Sequence, residues 1–176
     1  RHATWVGMVL AMCYSMFLGL GGFYLVRGTL VRDIDTRVWQ LLVATPMTRA
    51  GFLLAKWASH MAVLGLIVVI GLCVGMAAQG LRPVGEIQFM GFLYPCIDQL
   101  VNHASRLRNR TQGRLTCPMV LRTPCGAGIR APEHHSEHTE AMLAHIPGLR
   151  VVIPSSPERA YGLLLAAIRD PDPVVF

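Results

Sequence analysis

Gly148-Leu-Arg-Val-Val-Ile-Pro-Ser-Ser-Pro-Glu-Arg-Ala-Tyr-Gly-Leu-Leu-Leu-Ala-Ala-Ile-Arg-Asp-Pro-Asp-Pro-Val-Val-Phe176 is the stretch whose reading decides the fold. Leu149 to Ile153 is an apolar run bounded by Gly148 and Pro154, the pattern of a strand covered on both faces. Ser156 can then cap a helix, Pro157 suits its first position, and Glu158 sits near the positive end of the helix dipole. The predicted helix runs through Leu163, Leu164 and Ala167 to Arg169, where Pro171 and Pro173 end it. Val174 to Phe176 starts another strand. Strands and helices alternating at this length imply a parallel sheet with helices on its faces.

The same alternation extends upstream. Pro83 to Phe89 reads as a strand, and Pro95 to Arg108 as a helix with Ile97, Leu100, Val101, Ala104 and Leu107 on one face. Pro118 to Leu121 is a short buried strand that ends at the Pro124-Cys-Gly-Ala-Gly128 loop. A brief helix covers Glu137 to His145 and stops at Pro147-Gly148. This part of the chain is α/β, a partial parallel sheet with flanking helices.

Upstream of Gly80 the chemistry changes. No charged side chain occurs from Thr4 to Val26, about 23 residues, or from Trp57 to Leu81, about 25, and each stretch is long enough to cross a ~30 Å hydrocarbon core. Trp5 and Tyr24 stand near the ends of the first, where interfacial aromatics belong. Arg27 to Lys56 separates the two and carries five basic residues against Asp33 and Asp35, which predicts a cytoplasmic loop. Val38, Leu41, Leu42 and Thr45 recur within it at helical spacing until Pro46. The expected organisation is an α-helical membrane hairpin over 1–70, with spans near 4–26 and 57–79 and an elbow at 27–56, then the partial α/β domain over 71–176.

Composition narrows the function classes. The chain has 176 residues, 53% hydrophobic and 15% charged, which excludes a disordered polymer. Its net charge of +6 comes from 16 basic residues, all Arg except Lys56, spread along the chain without a patch, so no nucleic-acid partner is expected. Five cysteines without C-x-x-C spacing predict neither a disulfide framework nor a zinc site. His134, His135 and His138, the first and last one helical turn apart, leave a metal cluster open with Glu133 and Glu137, against hydrogen-bonded structural histidines as the plainer reading. A first residue of Arg, not Met, makes the expected product a fragment or a processed chain.

Four blocks carry a family resemblance: Gly80-Leu-Arg-Pro-Val-Gly-Glu-Ile-Gln-Phe89, Pro118-Met-Val-Leu-Arg-Thr-Pro124, Glu133-His-His-Ser-Glu137 and His145-Ile-Pro-Gly-Leu-Arg-Val-Val-Ile-Pro154. They resemble, in order, the beta subunit of thiamine-dependent 2-oxo acid dehydrogenases, and Ser155 to Phe176 continues the match. The resemblance implies a truncated transketolase-like pyrimidine-binding domain, bound in an α2β2 enzyme to an alpha subunit. Thiamine diphosphate would lie between the chains, its magnesium–diphosphate site supplied by the alpha subunit, and the acyl group would pass to a lipoyl-bearing acyltransferase. The implied reaction is oxidative decarboxylation of pyruvate or branched-chain 2-oxo acids, in the cytoplasm.

Carried over position by position, His135 matches the family's active-site histidine. Gln88 matches a polar position beside the cofactor and Phe92 an aromatic position near the aminopyrimidine. Two departures stand out: Cys125 replaces a larger aromatic, and Leu66 stands where the activating glutamate belongs. A leucine cannot protonate a ring nitrogen, so the chain alone is expected to be inactive. The Ile168-Arg-Asp-Pro-Asp172 turn resembles a segment whose backbone carbonyls hold a monovalent cation, which makes Ile168, Asp170 and Asp172 candidate cation ligands. The N-terminal half differs in kind. Arg32-Asp-Ile-Asp-Thr-Arg37, Gln40-Leu-Leu-Val-Ala-Thr-Pro-Met-Thr-Arg49 and Leu54-Ala-Lys-Trp57 resemble the membrane permease subunit of ABC-type exporters, which would make the whole chain membrane-associated. Two such halves imply a chimera or a fusion; the alternative function is a permease fragment with a foreign C-terminal segment.

Overall fold

A computed structural model describes residues 24, 27–28, 31–37, 40, 44, 48–126, 128, 130–131 and 135–176. The chain divides into two compact units, Arg1–Gly65 and Leu66–Phe176. The expected first span, about 4–26, lies outside the described residues except for Tyr24, and most of the expected Val38–Thr45 helix does too.

In the first unit, residues 31–35 are helical. Asp33, buried, pairs with Lys56 Nζ at 2.5 Å, so one cation of the basic elbow is neutralised within the unit. The same ammonium lies 5.8 Å from the Phe52 ring centroid, within reach of its negative face. Helix α1, Arg49–Ala78, opens with Thr48 Oγ1 accepting a hydrogen bond from Gly51 N at 3.1 Å, which satisfies one of its orphan donors.

By length and composition α1 is long and apolar enough to cross a membrane, and among the described residues it is the one such helix. Its C-terminal part has a second commitment. Ile70, Cys73 and Ala77, spaced three and four apart, form one buried face in the core of the second unit. Val69, Leu72 and Met76 form another face, which is exposed.

The second unit is built on four parallel strands: β1 (Val84–Glu86), β2 (Val120–Arg122), β3 (Arg150–Val151) and β4 (Val174–Val175), in the order β1-β2-β4-β3. Val84 pairs with Val120, and Val174 sits between Val120 and Arg150, so one register runs across the sheet. Successive side chains of a strand point to opposite faces. Accordingly Leu121 and Val175 join the core with Ile70, Leu93, Leu100, Met119 and Leu143, while Val120 and Val174 pack on the other side with Ala167, Leu164 and Ile168. Both faces are covered at the central strands β2 and β4, as their valine-rich sequence requires, while Val84 of the edge strand β1 stays exposed. Gly85 lets α1 approach closely, since a Cβ there would lie 3.3 Å from Cys73 Sγ and 3.6 Å from Ile70 Cδ1.

The expected helix from Pro95 begins earlier, at Met90. Met90–Cys96 is a 3-10 helix containing Pro95, Gln99–Ala104 is a π-helix, and α2 (Leu107–Arg110) completes the segment. Ser105 N donates to Leu100 O at 2.9 Å across the widened turn. Leu100 and Ala104 are buried as the periodicity predicts. A short helix α3 (Glu140–Ala144) ends before Gly148, whose φ of +85° and contact with the Ser105 carbonyl leave no room for a Cβ. Helix α4 is Pro157–Arg169, and its Ser156 cap accepts from Arg159 N at 3.3 Å.

Candidate functional site

The carboxyl ends of parallel strands leave backbone groups and loops converging on one crevice. Here those ends are tied together beyond the strands. Ile87 N donates to Arg122 O at 2.9 Å, Met90 N to Pro124 O at 3.1 Å, Thr123 N to Phe176 O at 2.9 Å and Val152 N to Val175 O at 2.9 Å. A cavity of about 430 Å³ opens there, lined by Met90, Cys125, Ile153 and Phe176 among others. Its charged wall is the Glu86–Arg122 pair, Oε2 to Nη2 at 2.6 Å, with Glu140 also lining it.

His135 lies at this end of the sheet, half-buried. Its ring is 4.4 Å from Phe89, tilted by 56°, and 5.7 Å from Phe92, edge-on at 79°. The two phenyl rings are 6.2 Å apart, so the imidazole completes an aromatic trio just past β1. Ser136 Oγ donates to Ala131 O at 2.7 Å and braces the loop that presents His135. The structure thus brings His135 and Phe92 together. Gln88, the third residue expected from sequence, is exposed at the same strand end, adjacent in the chain to Phe89, and is not among the residues lining the cavity.

One contact at this end has no sequence signature. Tyr94 donates its hydroxyl to the Glu137 carboxylate, a bond that, with some burial and the carboxylate's charge, holds the phenol proton more tightly than usual. This bond links the 3-10 helix to the loop of His135. Their separation of some forty residues leaves nothing for periodicity to detect. Cys125 is exposed at the cavity, with its thiol pushed up first by desolvation and then by the Glu140 charge. It is therefore a poor nucleophile at neutral pH.

Of the residues in the open metal-cluster reading, His134 and Glu133 lie outside the described residues, and His138 Nδ1 faces Glu140 Oε1 at 3.1 Å. Leu66 is part-buried against the apolar core of the second unit. The expected cation ligands Ile168, Asp170 and Asp172 lie elsewhere, at the amino end of the sheet. There the carbonyls of Ile168 and Asp170 accept hydrogen bonds from Arg82 Nη1 at 2.7 and 3.0 Å.

Comparison with known proteins accounts for the second unit. Residues 68–176 match the transketolase pyrimidine-binding domain. The pyruvate dehydrogenase E1 component subunit beta of Acholeplasma laidlawii is 61% identical over 108 residues, 61% of this chain and 33% of that protein. The corresponding protein of Mycoplasma pneumoniae is 53% identical over 106 residues, 60% of this chain and 32% of that one. The 2-oxoisovalerate dehydrogenase subunit beta of Pseudomonas aeruginosa is 52% identical over 108 residues, 61% of this chain and 31% of that one. The chain spans about a third of the length of the curated relatives it matches.

Proposed function

The chain belongs to the transketolase pyrimidine-binding domain family, and from that premise we propose that it is part of the beta subunit of a 2-oxo acid dehydrogenase, paired with an alpha subunit. The carrying observation is the half-buried imidazole of His135, held between Phe89 and Phe92 at the carboxyl end of the sheet. An imidazole in such a place can hold or move a proton at neutral pH and keeps its orientation through the ring contacts.

Thiamine diphosphate, when bound, supplies the carbanion chemistry that decarboxylates a 2-oxo acid. On this side, Phe92 offers an aromatic face for the aminopyrimidine, His135 a proton carrier near the thiazolium, and Gln88 an exposed amide at the rim. Those residues fit one flank of the cofactor. Leu66 does not fit the other role: packed on apolar neighbours, it has no group to protonate a ring nitrogen. The chain therefore contributes binding and proton handling without activation, and it has no turnover by itself. In a complete enzyme of this type the acyl group would pass to a lipoyl-bearing acyltransferase, in the cytoplasm.

Co-expression with a matched alpha subunit tests both statements. The expected result is thiamine diphosphate binding by the pair without 2-oxo-acid-dependent reduction of ferricyanide. Failure to bind the cofactor would sink the beta-subunit reading, and robust reduction would sink the role given to Leu66.

For residues 1–70 we propose the permease-like membrane hairpin, with spans near 4–26 and 57–79, on the uncharged stretches and the length of α1. Extraction from membranes by detergent but not by carbonate is the expected behaviour, and release by carbonate overturns it.

A further inference from the structure

Helix α4 leaves an unusual set of carbonyls at its end. Asp170 N returns to Ala167 O at 3.2 Å. The next helical acceptor, Ile168 O, would take the N–H of residue 172, but Asp172 N donates instead to Asp170 Oδ1 at 2.9 Å. Pro171 and Pro173 have no N–H to offer. Val174 N is engaged with Met119 O at 3.0 Å. Ile168 O and Asp170 O therefore need a donor or a cation from outside their own segment, at the negative end of a helix dipole.

Arg82 meets both, from a position 86 and 88 residues away in sequence. It immediately precedes Pro83 and β1, so its backbone is anchored at the amino end of the sheet. Two further arginines close the turn through its carboxylates: Arg150 Nη1 lies 2.7 Å from Asp170 Oδ2, and Arg108 Nε lies 2.7 Å from Asp172 Oδ1. Arg150 Nη2 also approaches Asp172 Oδ2 at 3.7 Å. Three guanidinium groups and two carboxylates thus meet at the turn, so an added cation would enter a cluster whose charge is already positive in sum.

We infer that Arg82 is the cation of this turn: its guanidinium takes the carbonyls of Ile168 and Asp170 that the family resemblance gives to a monovalent ion, and the turn closes without one. Nη1 carries two N–H donors, one for each of the converging oxygens, and the guanidinium charge persists at every working pH. The inference concerns the amino end of the sheet and does not depend on the catalytic reading of the other end.

Amide hydrogen exchange over residues 168–176 of the full chain, in neutral detergent, tests it in potassium, sodium and choline chloride at equal ionic strength. The wild-type chain is expected to exchange alike in all three salts. Arg82→Gln is expected to exchange about tenfold faster in choline chloride, the loss of a charge-assisted pair of bonds, and to be slowed again by potassium. Potassium-specific protection of the wild type overturns the inference. So does an Arg82→Gln chain that exchanges no faster, or one that potassium cannot slow. Should that variant fail to fold, the wild-type salt series decides alone, with Arg82→Lys as the second variant expected to remain potassium-insensitive.

Discussion

The two ends of one four-stranded sheet are built on opposite principles. At the amino end, Arg82, Arg108 and Arg150 converge on Asp170 and Asp172, and Gly148 lets the chain pass against the Ser105 carbonyl. At the carboxyl end rings pack around His135, the Glu86–Arg122 ion pair at the cavity is about half exposed, and a cavity opens between the loops. The first arrangement locks a turn; the second leaves polar groups accessible on a rigid frame. A domain that must open to a ligand at one end gains by being closed firmly at the other.

Breaking that contrast should give effects that fall in a definite order. Gly148→Ala forces a Cβ into a left-handed backbone and the Ser105 carbonyl, at a cost of more than ~3 kcal/mol, so exchange protection of the β2 amides should collapse. Retention of most of that protection would show that the close approach at the amino end does not matter.

The core between the two ends is tested by pH. Burial pushes the thiols of Cys96 and Cys117 up to about 11, from an ordinary value of 9.0. A folded value above the unfolded one means stability is complete below pH 9 and falls as the unfolded chain ionises first. By pH 11 the loss should reach ~2 kcal/mol or more, measured by denaturant unfolding across that window. Cys96→Ala with Cys117→Ala should flatten the curve; an equally steep decline without the thiols would refute the assignment.

Asp170→Ala releases Arg150 and leaves Asp172 N without its acceptor, and should cost ~2 kcal/mol in the same β2 exchange measurement while leaving thiamine diphosphate binding by the paired chain intact. His135→Ala should do the reverse, with a stability change under ~1 kcal/mol and cofactor binding weakened by about tenfold. If the two variants behave alike, the two ends are not distinct. Tyr94→Phe removes one largely exposed hydrogen bond to Glu137 and should cost only ~0.5 kcal/mol, seen as faster exchange around residues 135–138.

Much of this architecture is legible in particular residues. Ser156, Pro157 and Glu158 announce α4 to the residue, because caps and dipoles are local. The double-sided burial of Val120, Leu121, Val174 and Val175 follows from unbroken apolar runs. The helical segment after β1 starts five residues before Pro95, the start that the sequence pattern predicts. Pro95 looks like a first residue, whereas the chain turns into 3-10 geometry from Met90, where Met90 and Leu93 are buried. Gln88 and His135 read alike as site residues from resemblance, yet only His135 is packed by rings whose approach depends on tertiary contact.

From the order of its residues alone, this chain determines an α/β unit downstream of a long uncharged stretch, since periodicity, caps and prolines act over a few positions. The four blocks of matching sequence likewise determine its family. Tertiary structure decided which long-range partners meet: Arg82 with the end of α4, Tyr94 with Glu137, His135 with Phe89 and Phe92. It also decided that the second half of an apparently membrane-length helix gives one face to a sheet. Such pairings bring together groups tens of residues apart, and their energies arise only when the sheet has closed the loops between them.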